Sequence, residues 1–337
     1  MDTAWQPWVY GFTFIVGLVI GSFLNVMALR LIAEESFVTP PSHCPACKTP
    51  IQPWDNIPVL SYLLLNGQCR QCKTTISIQY PLTELATGLL FVMLVAFFGV
   101  GWHTPLLMFL VANLVVITIT DWRTSEIYFI NSWSLVPAGL LYNFLNLGEG
   151  TTALISGTMS AFGIEWPAMF VSALIGAAGI IGLFTGLNLL SRLLVGQDGF
   201  GGGDTHLLVG VAAFLGWQGT LIAFVLGFLA QALLALPMLA YQWFQRKDYT
   251  TLTLGAGALL SAFLPLGLSA LPLEGSFRPL ILLGSIGVCL LMLVLFLIRL
   301  RKNPASLTYM PLGPALVLGT LISLFYGRQL LPLLPQW

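Results

Sequence analysis

The sequence predicts an all-α polytopic membrane protein of about ten transmembrane helices, with one small polar domain on the cytoplasmic side. Three observations carry this. Only 8% of the 337 residues are Asp, Glu, Lys or Arg, against about 25% in an ordinary soluble domain. The AVILMFWYC group makes up 57%, and mean hydropathy is +0.89. The third observation is that the apolar residues fall in runs of membrane-spanning length. A water-soluble enzyme cannot cover its surface with so few charges, and a disordered chain is poor in apolar residues. With 13 basic and 13 acidic residues there is no basic excess for nucleic acid.

The candidate spans, in order, are about 8–32, 82–100, 105–120, 130–147, 166–190, 204–216, 219–244, 252–271, 279–299 and 311–331. The segment 204–216 is short, and is either a half-span or a part of its neighbour. Nothing from Met1 to Tyr10 is basic, so the first span lacks the positive flank of a signal peptide and its N-terminus is expected outside. If every span crosses, Arg30, Lys48, Arg70, Lys73, Arg123, Arg192, Arg246, Lys247, Arg299, Arg301 and Lys302 lie on the cytoplasmic side. Only Arg278 and Arg328 lie outside, a split of 11 to 2 among the 13 basic residues that follows the positive-inside rule. The expected organisation is a first transmembrane helix over 1–32, a cytoplasmic metal-binding domain over 33–80 and a transmembrane domain over 81–337.

The polar insertion holds four of the five cysteines, as Cys44-Pro-Ala-Cys47 and Cys69-Arg-Gln-Cys72. A two-residue spacer lets both thiolates of a knuckle turn onto one ion, and two knuckles complete a tetrahedral S4 site suited to structural zinc. Two disulfides are the competing reading, disfavoured in a reducing cytoplasm. Four protein thiolates leave no open position for catalysis by the metal. His43 adjoins the first knuckle as a loop histidine, and Cys289 is a lone packing residue in an apolar run.

Ionisable residues at the edges of spans are functional candidates. Asp121 follows Leu114–Thr120 at the end of the third span. Asp204 ends Gly199-Phe-Gly-Gly-Gly-Asp204 at the start of the sixth. Both fall near the cytoplasmic face, where a carboxylate pair sharing a proton can activate water. The bland alternatives are a helix cap for Asp204 and an ion pair with Arg123 for Asp121. A proton-coupled transporter can use the same two aspartates, and a zinc-stapled scaffold needs neither. Asn25 is expected to bond between helices. Glu84 is either a charge favoured at a helix start or a site residue.

These residues resemble the type IV prepilin peptidases, the leader peptidase/N-methyltransferase family of GxGD-type membrane aspartic proteases. The resemblance runs through Gly21-Ser-Phe-Leu-Asn-Val26, His43-Cys-Pro-Ala-Cys47, Asp55-Asn-Ile-Pro-Val-Leu-Ser61, Gly67-Gln-Cys-Arg-Gln-Cys72 and Tyr80-Pro-Leu-Thr-Glu84. It continues through Asp121, Gly201-Gly-Gly-Asp204 and Pro311-Leu-Gly-Pro314. It implies a multi-pass enzyme of the bacterial inner membrane that removes the leader from type IV prepilins and type II secretion pseudopilins. Asp121 and Asp204 are the implied catalytic pair, and Cys44, Cys47, Cys69 and Cys72 form the zinc-ribbon-like domain of bifunctional members. Those members then methylate the new N-terminus with S-adenosylmethionine. The sequence departs from the family pattern at Tyr128, where proline is usual, and at His206, where lysine is usual. It also has ten expected spans against a usual eight, the surplus lying at about 250–302.

Overall fold

The computed structural model describes residues 6–36, 39, 41–145, 157–161, 164–194, 196, 198–270 and 311–333, with a few positions between 288 and 299. Most of the candidate span 279–299 lies outside the described residues, as do Cys289, Arg278, Arg301 and Lys302. The chain forms two compact units. One comprises Met1–Ile181, Gly202–Ala230 and Pro311–Trp337, and the other Gly182–Gly201 and Gln231–Met310.

The first unit begins with α1 (Gln6–Ile32), followed by a 3₁₀ turn (Pro53–Asn56), the short α2 (Leu60–Leu64), α3 (Gln79–Phe98), α4 (His103–Thr124) and α5 (Phe129–Phe144). A hairpin of β1 (Thr158–Ala161) and β2 (Ile164–Pro167) comes next. It falls mostly between the candidate spans 130–147 and 166–190 and takes Trp166 and Pro167 from the second, and it is not expected from the sequence because four-residue strands are too short to show a period. Then come α6 (Ala168–Leu194), α7 (Gly202–Gln245), α8 (Tyr249–Ala270) and α9 (Gly313–Leu330). Among the described residues, α1, α3, α4, α6 and α7 are long and apolar enough to cross a membrane.

Helix α1 shows what the bilayer does to a sequence. It is apolar all round, and small residues make up most of the stripe it buries. Trp8, Phe12, Ile15, Val19 and Phe23 are exposed along one stripe, while Thr13, Gly17, Gly21, Asn25 and Ala28 are buried along the other. A Cβ at Gly17 would stand 2.6 Å from Gly88 Cα, and one at Gly21 would stand 2.8 Å from Glu84 Cα. Small residues thus bring α1 and α3 to backbone contact, where dispersion replaces the hydrophobic drive that lipid cannot supply. Asn25 then donates from Nδ2 to Tyr80 O (3.2 Å) and accepts at Oδ1 from Gln79 Nε2 (3.2 Å), the interhelical role expected of it.

Helix α7 holds a reversal. Its first part runs beside α5 in the same direction: His206 meets Phe129 and Trp133, Gly210 meets Leu135, and Gly139 meets Ala213. Gly216 then takes φ 68°, ψ −176°. Past it, Gly219 O accepts Ser323 Oγ (2.7 Å), Ala223 meets Gly319, and Gly227 meets Leu316. The second part is therefore antiparallel to α9. Helix α9 is itself antiparallel to α4, since Asp121 meets Gly313 and Phe98, just before α4, stacks on Phe325. Because α5 also returns against α4, with Ser134 bonded to Asn113, the two parts of α7 run in opposite directions. The segments 204–216 and 219–244 are distinct helices, and the first spans only about 20 Å at 1.5 Å per residue.

A reversal inside a membrane frees backbone groups that lipid cannot bond. Here side chains take them. Asn143 Nδ2 donates to Ala213 O (2.7 Å) and Phe214 O (3.0 Å), and Ser172 Oγ accepts the Trp217 N–H (3.1 Å). Thr220 Oγ1 donates to Gly216 O (2.7 Å).

In the polar domain the two cysteine knuckles repeat one another bond for bond. Cys44 N–H donates to Thr49 O (3.0 Å) and Cys69 N–H to Thr74 O (2.9 Å). Lys48 N–H donates to Cys44 O (2.9 Å) and Lys73 N–H to Cys69 O (3.1 Å). Lys48 and Lys73 both take positive φ, 58° and 59°, so the turn after each CxxC is the same. The four Sγ atoms lie within 4.8 Å of one another, with Cys44 and Cys72 Sγ 3.7 Å apart. Tetrahedral ligands on zinc at 2.3 Å are about 3.8 Å apart, so the quartet fits that ion. The Thr74 hydroxyl, and then the Thr74 backbone N–H, lower the Cys72 thiol to about 6, which favours the thiolate that a metal needs. Arg70, beside the second knuckle, donates to both oxygens of Asp55 (2.6–3.0 Å) and ties the 3₁₀ turn to it.

In the second unit, Asn188 pins the loop ahead of α7. Its Oδ1 accepts the Gly199 (3.2 Å) and Phe200 (2.9 Å) N–H groups, and its Nδ2 donates to Phe200 O (3.1 Å). Asp198 pairs with Arg192. Asp248 is held down to about 2 by the Thr251 hydroxyl and by Arg299.

Two outcomes are expected. Gly216→Ala forces an L side chain into a backbone region that only glycine adopts readily and against Ser172, and should cost about 1–3 kcal/mol or more, lowering the detergent melting temperature. Gly11→Ala, at a helical position with nothing within 4 Å, should not lower it. Purified protein should carry about one zinc ion per chain by elemental analysis. Cys69→Ser should lose it and expose residues 41–78 to protease, because metal affinity is folding energy in so small a domain.

Candidate active site

Asp121 lies in the last turn of α4 and is 3% exposed. Its Oδ2 accepts the Gly313 N–H at 2.8 Å. Gly313 opens α9, and Pro314 follows with no N–H to offer. The first N–H groups of a helix lack internal partners and its N-terminus carries positive dipole charge, so a carboxylate is suited to this position. A Cβ on Gly313 would sit 2.7 Å from Oδ2. Glycine is therefore required for the contact.

Asp204 is 8% exposed and stands in the first turn of α7, at that helix's own N-terminus. The helix starts at Gly202 with Gly201 as its cap. Asp204 is thus inside the helix, and the capping alternative does not hold. The glycine run has a local use: a Cβ at Gly203 would be 2.8 Å from Ile127 Cβ. The loop that leaves Asp121 packs at Ile127 onto the residue before Asp204. His206 faces α5, its ring 5.5 Å from Phe129 and 5.8 Å from Trp133.

Arg123 does not pair with Asp121. It donates to Gln79 Oε1 from Nε (3.1 Å) and Nη2 (2.6 Å). Asn25, Gln79 and Arg123 thus join α1, α3 and α4 at one level. Successive helical residues turn about 100°, so Asp121 and Arg123 leave α4 about 200° apart, one toward α9 and the other toward α3.

On the Arg123 side lies a cavity of about 590 Å³. It is walled by the cysteine domain on one side and by the ends of α1 and α3 on the other, with Ser22, Arg30, Asp55, Tyr62, Tyr80 and Glu84 among its lining. Glu84 is 6% exposed, and its Oε2 accepts the Val59 N–H at 2.7 Å. Val59 has φ 61°, ψ −50°, and Leu60 N–H donates to Pro58 O at 2.6 Å. This is a γ-turn with positive central φ, a strained form that a β-branched residue adopts only when its surroundings impose it. The Glu84 bond is not visible in the sequence, because the partners lie 25 residues apart.

The bacterial peptidase A24 N-terminal domain matches residues 15–98, and the type IV leader peptidase family matches residues 108–236. Relatives named prepilin leader peptidase/N-methyltransferase include one from Neisseria gonorrhoeae, 33% identical over 235 residues, 63% of this chain and 76% of the relative. Another, from Aeromonas hydrophila, is 30% identical over 262 residues, 69% of this chain and 82% of the relative. A third, from Pseudomonas aeruginosa, is 32% identical over 254 residues, 67% and 80% of the two chains. No solved structure matches the chain. With two adjoining family domains and relatives matched over most of their length, this chain belongs to the type IV prepilin leader peptidase/N-methyltransferase family.

Proposed function

We propose that the chain cleaves the leader of type IV prepilins and type II secretion pseudopilins at the cytoplasmic face of the bacterial inner membrane, with Asp121 and Asp204 as the catalytic pair. The family makes it an aspartic peptidase that is also a methyltransferase. The observation that supports the pair most directly is Asp121 Oδ2 bonded to the Gly313 N–H. That bond leaves Oδ1 outside the contact with α9, while Asp204 is buried one residue past the Ile127–Gly203 contact.

Each step follows from two carboxyl groups sharing one proton. The ionised group takes a proton from water as the water oxygen bonds to the scissile carbonyl carbon. The protonated group gives its proton to the carbonyl oxygen, so no lone oxyanion forms. Collapse breaks the C–N bond: the proton taken from water passes to the leaving amine, and a hydroxyl proton of the diol returns to the other carboxylate, which leaves a carboxylic acid product and restores the singly protonated pair. No covalent adduct with the chain arises. The apolar stem of the substrate lies among the membrane helices and its basic leader stays in the cytoplasm, on the side where 11 of the 13 basic residues are expected.

Cys44, Cys47, Cys69 and Cys72 would hold zinc, which would staple the cytoplasmic domain and take no part in cleavage. S-adenosylmethionine supplies the activated methyl group for the second activity. The chain's task there is to hold the donor and to let the new N-terminal ammonium lose a proton, so that its lone pair is available.

Asp121→Asn and Asp204→Asn should each reduce prepilin cleavage by about 100- to 10,000-fold in a gel assay of leader release. Full processing by either variant would sink the pair. Gly313→Ala should cost about 100-fold by displacing the Asp121 carboxylate, while circular dichroism stays at wild type.

A further inference from the structure

We propose that the cavity between the cysteine domain and the ends of α1 and α3 is the binding site for the methyl donor, S-adenosylmethionine, with Glu84 as the buried counter-charge for its sulfonium and Tyr80 and Tyr62 as walls for its base. This rests on the methyltransferase reading of the family and names a site for it.

Four observations lead there. The volume of about 590 Å³ lies within the roughly 300–1,000 Å³ usual for small-molecule sites. The lining is chemically mixed in the way the donor is. S-adenosylmethionine carries a sulfonium, an ammonium and a carboxylate on one apolar frame. The cavity offers Glu84 and Glu35 for the cations, apolar surface from Val26 and Leu29, and for the carboxylate the positive charge of Arg123, whose side-chain partner Gln79 is neutral. Asp55 and Arg70 also line it but satisfy each other.

The third observation is Glu84 itself. A carboxylate 6% exposed at a membrane boundary is costly unless bonded, and Glu84 is held at the cavity wall by the Val59 N–H at 2.7 Å and by the Ser22 hydroxyl, both from lining residues and both neutral, so its negative charge is left for a cation. The first of these bonds holds Val59 in its strained turn. Strain of this kind persists where surrounding structure over-determines it, as at ligand clamps. Glu84, Val59 and the knuckle residues Cys44 and Cys69 all line the cavity, so the metal-stapled domain forms one wall and the membrane helices the other.

The fourth is position. Arg123 lines the cavity, two residues after Asp121 and about 200° around α4. The donor site is thus at the level of the cleavage site but on the other side of the helix end. An N-terminus created at Asp121 needs only to pass around that end to reach the methyl group. A donor held there does not occupy the water position of the aspartates.

The test is isothermal titration of the full-length protein in detergent with S-adenosylmethionine and with S-adenosylhomocysteine, for wild type, Glu84→Gln and Asn56→Trp. Asn56 is an exposed lining residue, so a bulky side chain there fills the cavity without disturbing a core. Zinc content and circular dichroism report folding. The expected result is saturable binding by wild type and a loss of about tenfold or more in affinity in both variants, with zinc retained. Glu84→Gln should weaken S-adenosylmethionine more than S-adenosylhomocysteine, which has no sulfonium charge. Wild-type affinity in either folded variant overturns the location and leaves the methyltransferase reading standing. No binding by wild-type protein that still cleaves prepilin overturns that reading and the site with it.

Discussion

A carboxylate buried at the edge of a membrane must be given hydrogen-bond donors, and the architecture around Asp121 follows from that need. Its donor is the Gly313 N–H, 192 residues away in sequence. To deliver it, α9 must begin beside the last turn of α4, and residue 313 must lack a side chain. The helix that follows must then pack back along α3 and the second part of α7, as the Phe98–Phe325 stack and the Gly219–Ser323 bond record. The reversal at Gly216 makes room for this. It turns α7 from running beside α5 to running against α9, with Asn143 and Ser172 taking the freed backbone groups.

The same rule accounts for the other buried polar groups. Asn25, Gln79 and Arg123 satisfy one another across three helices. Glu84 takes donors from the polar domain, at the Val59 N–H, and from Ser22 of α1, and not from its own helix. The Val59 bond is the point where the cysteine domain is fastened to the membrane helices. The two proposed chemistries therefore share a framework. In the proposed reading the carboxylate facing α9 serves hydrolysis, and the carboxylate facing the knuckles serves the methyl donor.

How much of this was legible in the sequence depends on how far apart the partners lie. The knuckles were legible because each is closed within six residues by its own CxxC and the turn after it. The break at Gly216 was legible as a boundary between two apolar runs, since a glycine and a polar Gln218 interrupt them. Asp121 and Asp204 stood out because few charges compete for attention in such a chain. The Gly313 contact, the Glu84–Val59 bond and the Asn143 clamp were not legible. Each joins residues from separate elements, and no local periodicity encodes them. The β1–β2 hairpin was missed for the opposite reason, being too short for any period to show. The pairing of Asp121 with Arg123, plausible from adjacency, failed because α4 points them to opposite sides.

The claim on which the rest depends is that Asp121 and Asp204 act as one unit sharing a proton. The rate of leader cleavage against pH, measured under single turnover, tests it most directly. A shared proton requires one carboxylate ionised and one protonated. The rate should therefore rise through one ionisation, fall through a second, and form a bell. A rate that climbs steadily with pH and then levels would show a lone base at work and would contradict the pair.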